Sequence, residues 1–381
     1  MQAEEQWARL RREEFRESTA QGIYLNHAGV APSPARVVRA VTEAVQWAGR
    51  DPIPYYMTGV IPLMETTRGQ LARLLGVPAE HLALTKNTAH GLSIVADGLS
   101  LEPGDNVLVA DCDYPAVVYP WKAQAWRGIE AKIVTARPDG TLALEDFAAA
   151  IDKRTRAIAV SWIQFGTGYR IDLAAFAKLA HSHNALLIVD VIQGLGALPL
   201  EAEKLGLDIV ATGAHKWLMA PAGTGGLYIA PHALSQMNLV NMGALSVVNV
   251  ANYDSLDFTP KPTAQRYEEG SPNALGLFGL NAALALIEEM GIDAIGERVL
   301  FLSAHAATLL ESKGYEVTSP RDDAHRSGLV MFRHPDYSNE QVLDTLTAAN
   351  VTAAVRGGRV RFAPHFYNTE SEITAAVDAL P

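Results

Sequence analysis

Between about residues 80 and 230 the chain alternates short apolar, β-branched runs with amphipathic stretches, and no other feature restricts its fold so strongly. LALT (Leu82 to Thr85) leads into the helical KNTAHGLSIVADGL, and NVLVA (Asn106 to Ala110) follows a Pro-Gly turn at Pro103 and Gly104. AKIV, AIAVSW, ALLIVD, DIVAT and GGLYIA complete the series, with helical segments such as LAAFAKLAHSHN between them. Uninterrupted apolar strands separated by helices imply an α/β fold: a mostly parallel, seven-stranded-type sheet sandwiched by helices. Beyond GLFGLNAALALIEEMG, which reads as a connecting helix, the texture changes to a smaller α+β C-terminal domain built on GLVMFR, RVRFA and two helices. The expected division is an N-terminal segment (1–55) packing on the small domain, a large domain (56–275) and a small one (276–381).

Composition removes several classes. With 49% hydrophobic and 19% charged residues, the chain has enough apolar surface for a core and no disordered signature. Its net charge of −11 leaves no basic footprint for nucleic acid or anionic lipid. The single cysteine, Cys112, excludes an internal disulfide, and no metal is expected. No apolar run reaches the ~18 residues of a membrane span, and MQAEEQWARLRREEF lacks the apolar stretch of a signal peptide. A cytoplasmic protein is expected.

In parallel α/β sheets ligands bind at the carboxyl ends of strands, so the polar residues there carry the argument. ALLIVD ends in Asp190, with Gln193 three residues on; DIVAT ends in Thr212, followed by Gly213, Ala214, His215 and Lys216. Asp190 and Lys216 are 26 positions apart, about one strand–helix–strand unit, which puts carboxylate and amine at the same end of the sheet. That pair suits an aromatic aldehyde cofactor: the lysine forms an imine and the carboxylate protonates a ring nitrogen, the chemistry of pyridoxal 5'-phosphate. A nicotinamide-dependent dehydrogenase is the rival enzyme class, but its Gly-rich fingerprint must follow a strand and open a helix. Here PAGTGG follows a lysine and precedes a strand. A non-catalytic binding protein is the remaining alternative.

From YLNHAG to PHFYNTESEI the chain resembles the class V aminotransferase family of pyridoxal-phosphate fold type I, in its cysteine-desulfurase-like branch. The resemblance implies Lys216 as the Schiff-base lysine, Asp190 as partner of the pyridinium nitrogen, and Gln193 as donor to the cofactor's phenolic oxygen. Thr88, Thr212 and His215 would serve the phosphate, and Tyr114 would stack on the ring. Ser271 would reach the cofactor phosphate of a partner subunit, which implies a homodimer with shared sites. Arg361 would hold the α-carboxylate of a small-molecule amino acid substrate. On RVRFA, Val360 and Phe362 share one face and Arg359 and Arg361 the other. Plainer readings stand beside these: helix caps for Thr88 and Ser271, core packing for Tyr114 and His215.

Four departures from the branch bear on the chemistry. Ala89 stands where relatives often have a second threonine, and Gly213 where they carry serine. Trp162 stands where they have asparagine; it either walls a substrate pocket or packs in the core, and Gln164 either supplies the missing contact or belongs to a loop. NVTAAVRGGRVR has no cysteine where desulfurases place their mobile thiol, which disfavours a protein persulfide. Lys216 is the expected general base for α-proton removal. Amino-group transfer is the expected reaction, with epimerisation or carbon–sulfur elimination as alternatives.

Overall fold

The computed structural model describes residues 2–252 and 254–381. A short first strand, β1 (Ile23–Tyr24), precedes seven that form one sheet. These are β2 (Leu82–Thr85), β3 (Asn106–Ala110), β4 (Glu130–Val134), β5 (Thr155–Ser161), β6 (Leu186–Asp190), β7 (Ile209–Gly213) and β8 (Gly225–Ile229). Their order is β2-β8-β7-β6-β5-β3-β4. β4, β3, β5, β6 and β7 run parallel, and only β8 is antiparallel to its neighbours. Residues 214–224 join β7 to β8, too few for the helical crossover that a parallel neighbour needs, so the chain folds straight back. Every residue of β3, β6, β7 and β8 is buried, which is why their sequences read as unbroken apolar runs.

The C-terminal part adds β9 (Glu316–Val317), β10 (Val330–Arg333), β11 (Val351–Thr352), β12 (Ala354–Arg356) and β13 (Arg359–Phe362). Four of them form an antiparallel sheet ordered β12-β13-β10-β9, and β11 pairs with β1. Val360 and Phe362 of β13 enter a second core with Leu302, Phe332, Leu346 and Ile373.

The N-terminal segment ties both parts together. Arg11 forms a two-point ion pair with Glu372 (3.0 and 2.6 Å), and Phe15 stacks on Tyr367 at 3.7 Å. Helix Ala35–Arg50 instead packs on helix Ala274–Met290, where Trp47, Tyr55 and Phe278 form an aromatic cluster. Asn273 caps that second helix by accepting the Gly276 N–H at 3.0 Å. Leu280, Leu284 and Ile287 face the large core, so the connecting helix belongs to the large sheet's packing, although it begins where the small domain was expected to start. Among the described residues, no single helix is long and apolar enough to cross a membrane.

Candidate active site

The parallel register sets Ser161, Asp190 and Ala211 side by side at the carboxyl edge of the sheet. Beyond β7 the chain makes a tight turn, with Met219 N–H bonded to the Lys216 carbonyl (2.9 Å) and Ala214 N–H to that of Thr224 (2.9 Å). That turn carries Lys216 back over the strand ends. Lys216 and Asp190 line one cavity of about 450 Å³ with Thr88, Tyr114, Gln193, His215, Arg356 and Arg361. Burial pushes the Asp190 carboxyl up, against the opposing pull of the Ile192 N–H at 2.9 Å and of Lys216. Burial pushes the Lys216 amine down, and the nearby Arg361 and Arg356 cations add to that, opposed by Asp190.

Helix Thr88–Gly98 points its N-terminus into the cavity. Asn87 satisfies the His90 N–H at 2.8 Å, while the leading N–H groups of Thr88 and Ala89 have no intrahelical acceptor and can hold an anion. The Thr88 hydroxyl is buried without a hydrogen-bond partner among the described residues. A Cβ on Gly213 would lie 3.4 Å from Thr88 Oγ1 and 3.5 Å from His215 Nδ1, so these two polar atoms converge beside the glycine. An orphaned hydroxyl at a free helix N-terminus fits a phosphate, and the residues present therefore fit pyridoxal phosphate. Gln193 donates to the Ala28 carbonyl (3.1 Å) and accepts the Trp217 indole N–H (3.3 Å). One amide hydrogen of Gln193 is left for a ligand oxygen. The Tyr114 ring centroid lies 5.5 Å from Lys216 Nζ, and Phe165 meets that ring edge-on at 5.3 Å.

At the opposite wall Arg361 is buried. Its Nη1 donates to the Phe165 carbonyl (3.1 Å), its Nη2 to Asn26 Oδ1 (3.2 Å), and its Nε has no partner among the described residues. Burial, with Arg356 nearby, pushes its pKa down to about 10, so this cation is short of counter-charge.

Three expected residues lie elsewhere, and Ser271, expected at a partner subunit's cofactor, also lies outside this cavity. Trp162 does not line the cavity: its indole packs against Gly194, where a Cβ would come within 2.3 Å of it, and it belongs to the large core. Gln164 is fully buried behind the wall, accepting from Cys112 Sγ at 3.7 Å and donating to the Ser161 carbonyl at 3.4 Å. Both follow from the chain turning back after β5, where Ile163 bridges to Arg170. Thr212 donates to the Gly213 carbonyl (3.1 Å) and also stays outside the cavity. Ser271 lines a separate, smaller cleft with Lys86, His90 and Glu269, and accepts the Tyr56 hydroxyl at 3.3 Å.

Sequence reasoning missed Asn26, which steadies Arg361, and Asp113, which lies just beyond β3. Asp113 accepts N–H bonds from Tyr114 (3.2 Å) and Ser161 (3.0 Å), and burial pushes its carboxyl up to about 6. Its position after a strand's carboxyl end was the available signal. Burial, with Asp113 and Asp111 close by, pushes the Cys112 thiol up to about 12, and it does not line the cavity. Among the described residues no group of three or more His, Cys, Asp or Glu is placed to hold a metal ion.

The aminotransferase class-V family model matches residues 23–374. A probable cysteine desulfurase of Methanothermobacter thermautotrophicus is 27% identical over 92% of each chain. The uncharacterized aminotransferase YcbU of Bacillus subtilis is 26% identical over 83% of this chain and 82% of its own. Among solved structures, the Escherichia coli cysteine desulfurase CsdA is similar with a TM-score of 0.86 at 23% identity, over 98% of this chain and 97% of that one. A Lys-to-Ala mutant of C-DES with glycine covalently linked to its PLP cofactor is similar with a TM-score of 0.89 at 23% identity, over 97% and 98%. With the family match running from β1 into the last helix, this chain belongs to the class V aminotransferases, which depend on pyridoxal phosphate.

Proposed function

We propose that this protein acts at the α-carbon of a small α-amino acid and transfers its amino group to a 2-oxo acid. The observation that carries the reading is one cavity with Lys216 and Asp190 at its floor and Arg361, buried and without a carboxylate partner among the described residues, on its wall. Bound pyridoxal phosphate supplies the electron sink for a carbanion at that carbon. The protein's own tasks are then local. Arg361 receives the α-carboxylate in its planar fork. Lys216, whose amine burial holds below the usual lysine range, takes and returns the α-proton. Asp190 keeps a negative charge against the cofactor's ring nitrogen, Tyr114 covers the ring, and Thr88, His215 and the helix N-terminus hold the phosphate.

Carbon–sulfur elimination is the second reading, because relatives at 27–29% identity are named cysteine desulfurases. A protein persulfide is not part of either reading. The hairpin that carries Arg361 turns through Gly357 and Gly358 between Arg356 and Arg359 and holds no thiol, and Cys112 lies outside the cavity with its pKa raised. We also read the protein as a homodimer: Ile53 and Met57 are 73% and 57% exposed beside Tyr56, the partner of Ser271.

An amino-acid panel with the holoenzyme, read by cofactor absorbance and product mass spectrometry, tests the reaction. Transfer bleaches the visible band in a single turnover and needs an oxo acid to restore it. Release of ammonia, an oxo acid and the sulfur leaving group as sulfide or thiol, without any acceptor, would select elimination instead. Lys216→Ala should abolish the borohydride-fixed bond to cofactor, and Cys112→Ser should leave turnover standing.

A further inference from the structure

We infer that the cavity selects amino acids whose side chain ends in a second acid group, with Arg356 as the residue that receives it. This rests on the reading of Arg361 as the α-carboxylate anchor. In the β12–β13 hairpin Ala354 lies opposite Arg361 and Arg356 opposite Arg359. Cross-strand partners and every second residue share a face, so Arg356 and Arg361 project from the same side, away from buried Val360 and Phe362. They are diagonal neighbours, roughly 7–8 Å apart at the backbone. A ligand with two acid groups a few bonds apart spans that gap.

Both arginines line the cavity, and charge there is lopsided: Lys216, Arg356 and Arg361 face a single carboxylate, Asp190. The chain as a whole is acidic, which makes the local excess notable. Arg356 bonds only the Val355 carbonyl (2.7 Å) among the described residues, so its guanidinium has no anionic partner. The support beneath it is fixed. Gly357 and Gly358 take φ of +56° and +71°, the two-residue turn that matches strand twist. Gly357 lies so close to the Gly166 carbonyl that a Cβ would stand 2.7 Å from it, and Asn339 donates to the Gly358 carbonyl at 2.9 Å. Arg361 is bonded to the same loop through Phe165. The hairpin thus holds its second, solvent-exposed guanidinium on the cavity that Tyr114 and Phe165 also line, where the end of a substrate side chain would reach it.

The test compares L-aspartate and L-glutamate with L-asparagine and L-glutamine on the holoenzyme. At least one acid should exceed its own amide tenfold or more in kcat/KM. Arg356→Gln should bring that ratio below about threefold, and Arg356→Lys should keep part of it. Calorimetry with inert acids gives a readout without turnover: succinate should bind the holoenzyme at least tenfold more tightly than propionate, and Arg356→Gln should remove the difference. Equal handling of acid and amide by the wild type, or a preference that survives Arg356→Gln, would overturn the inference. Should no amino acid perturb the cofactor spectrum, the transfer reaction falls, and succinate calorimetry alone then decides whether the two-arginine subsite exists.

Discussion

Lys216 and Asp190 share a low-dielectric floor in which burial moves their pKa values toward each other. On the proposed reading, a cofactor pyridinium beside Asp190 would supply the opposite charge that holds the carboxylate ionised. In the proposed reading Arg361 is the substrate anchor, and its planar fork is hard to replace. Arg361→Lys should raise the substrate KM about tenfold or more, since a bidentate charged pair contributes roughly 1.5–3 kcal/mol and each decade is ~1.4 kcal/mol. An unchanged KM would move the anchor elsewhere. Under the site, His365 is fully buried; its Nε2 donates to the Trp217 carbonyl (3.0 Å) and its Nδ1 accepts the Phe366 N–H (2.8 Å), which fixes a neutral ring. Its pKa is pushed down to about 4 by burial, against 6.5 when exposed. The folded state therefore binds fewer protons, so the stability held in this neutral ring is present above pH 6.5 and is lost as pH falls toward 4. That amounts to on the order of 3 kcal/mol. Asp113, raised to about 6, has the opposite sign, so the difference between proteins is the measure. Between pH 7 and 4.5 the Tm of His365→Gln should fall less than that of the wild type.

Among the elements, the β12–β13 hairpin carries both arginines to which the proposed reading assigns substrate recognition. Its two glycines separate strain from contact. Both have positive φ, but a Cβ on Gly358 meets nothing within 4 Å, whereas one on Gly357 runs into Gly166. Either alanine substitution costs about 1–2 kcal/mol for left-handed backbone. Only Gly357→Ala should also lift the hairpin from the Phe165–Gly166 loop and raise KM several-fold. Equal kinetics for the two variants, with equal loss of Tm, would mean that the seating of the hairpin is irrelevant to the site.

At the scale of the whole molecule, the outer strand β2 is secured by a buried ion pair. Arg68, on helix Ile61–Leu75, pairs with Glu268 and donates to the Leu82 carbonyl (2.9 Å), while Glu268 accepts the Leu84 N–H (2.6 Å). Both side chains are almost wholly shielded from water. Breaking such a pair from one side costs up to roughly 3–5 kcal/mol, and Arg68 then keeps only the exposed Glu65, 3.0 Å away. Glu268→Leu should show that loss in urea denaturation, and adding Arg68→Met should recover much of it. A double variant as unstable as the single one would show that the charge is not the cause.

Apolar runs of strand length, and the turns between them, determined the seven-stranded sheet, because an all-buried strand leaves its signature in consecutive residues. The same local logic put Asp190 and Lys216 at one sheet edge, and even the reversal at β8 is implicit in a connection too short for a helix. Arg361 was legible as well, from strand alternation and from the family resemblance. Tertiary structure alone decided the rest. Whether Trp162 faced ligand or core depended on Gly194, a residue of a different strand–helix unit. Gln164 and Thr212 were lost to the cavity through hydrogen bonds that no spacing reveals. The support of Arg361 by Asn26 joins residues 335 positions apart, and the convergence of Arg356, Tyr114 and Lys216 joins three separate segments. Periodicity encodes which face of an element is buried, but only the packing of distant elements decides which polar groups meet in the space between them.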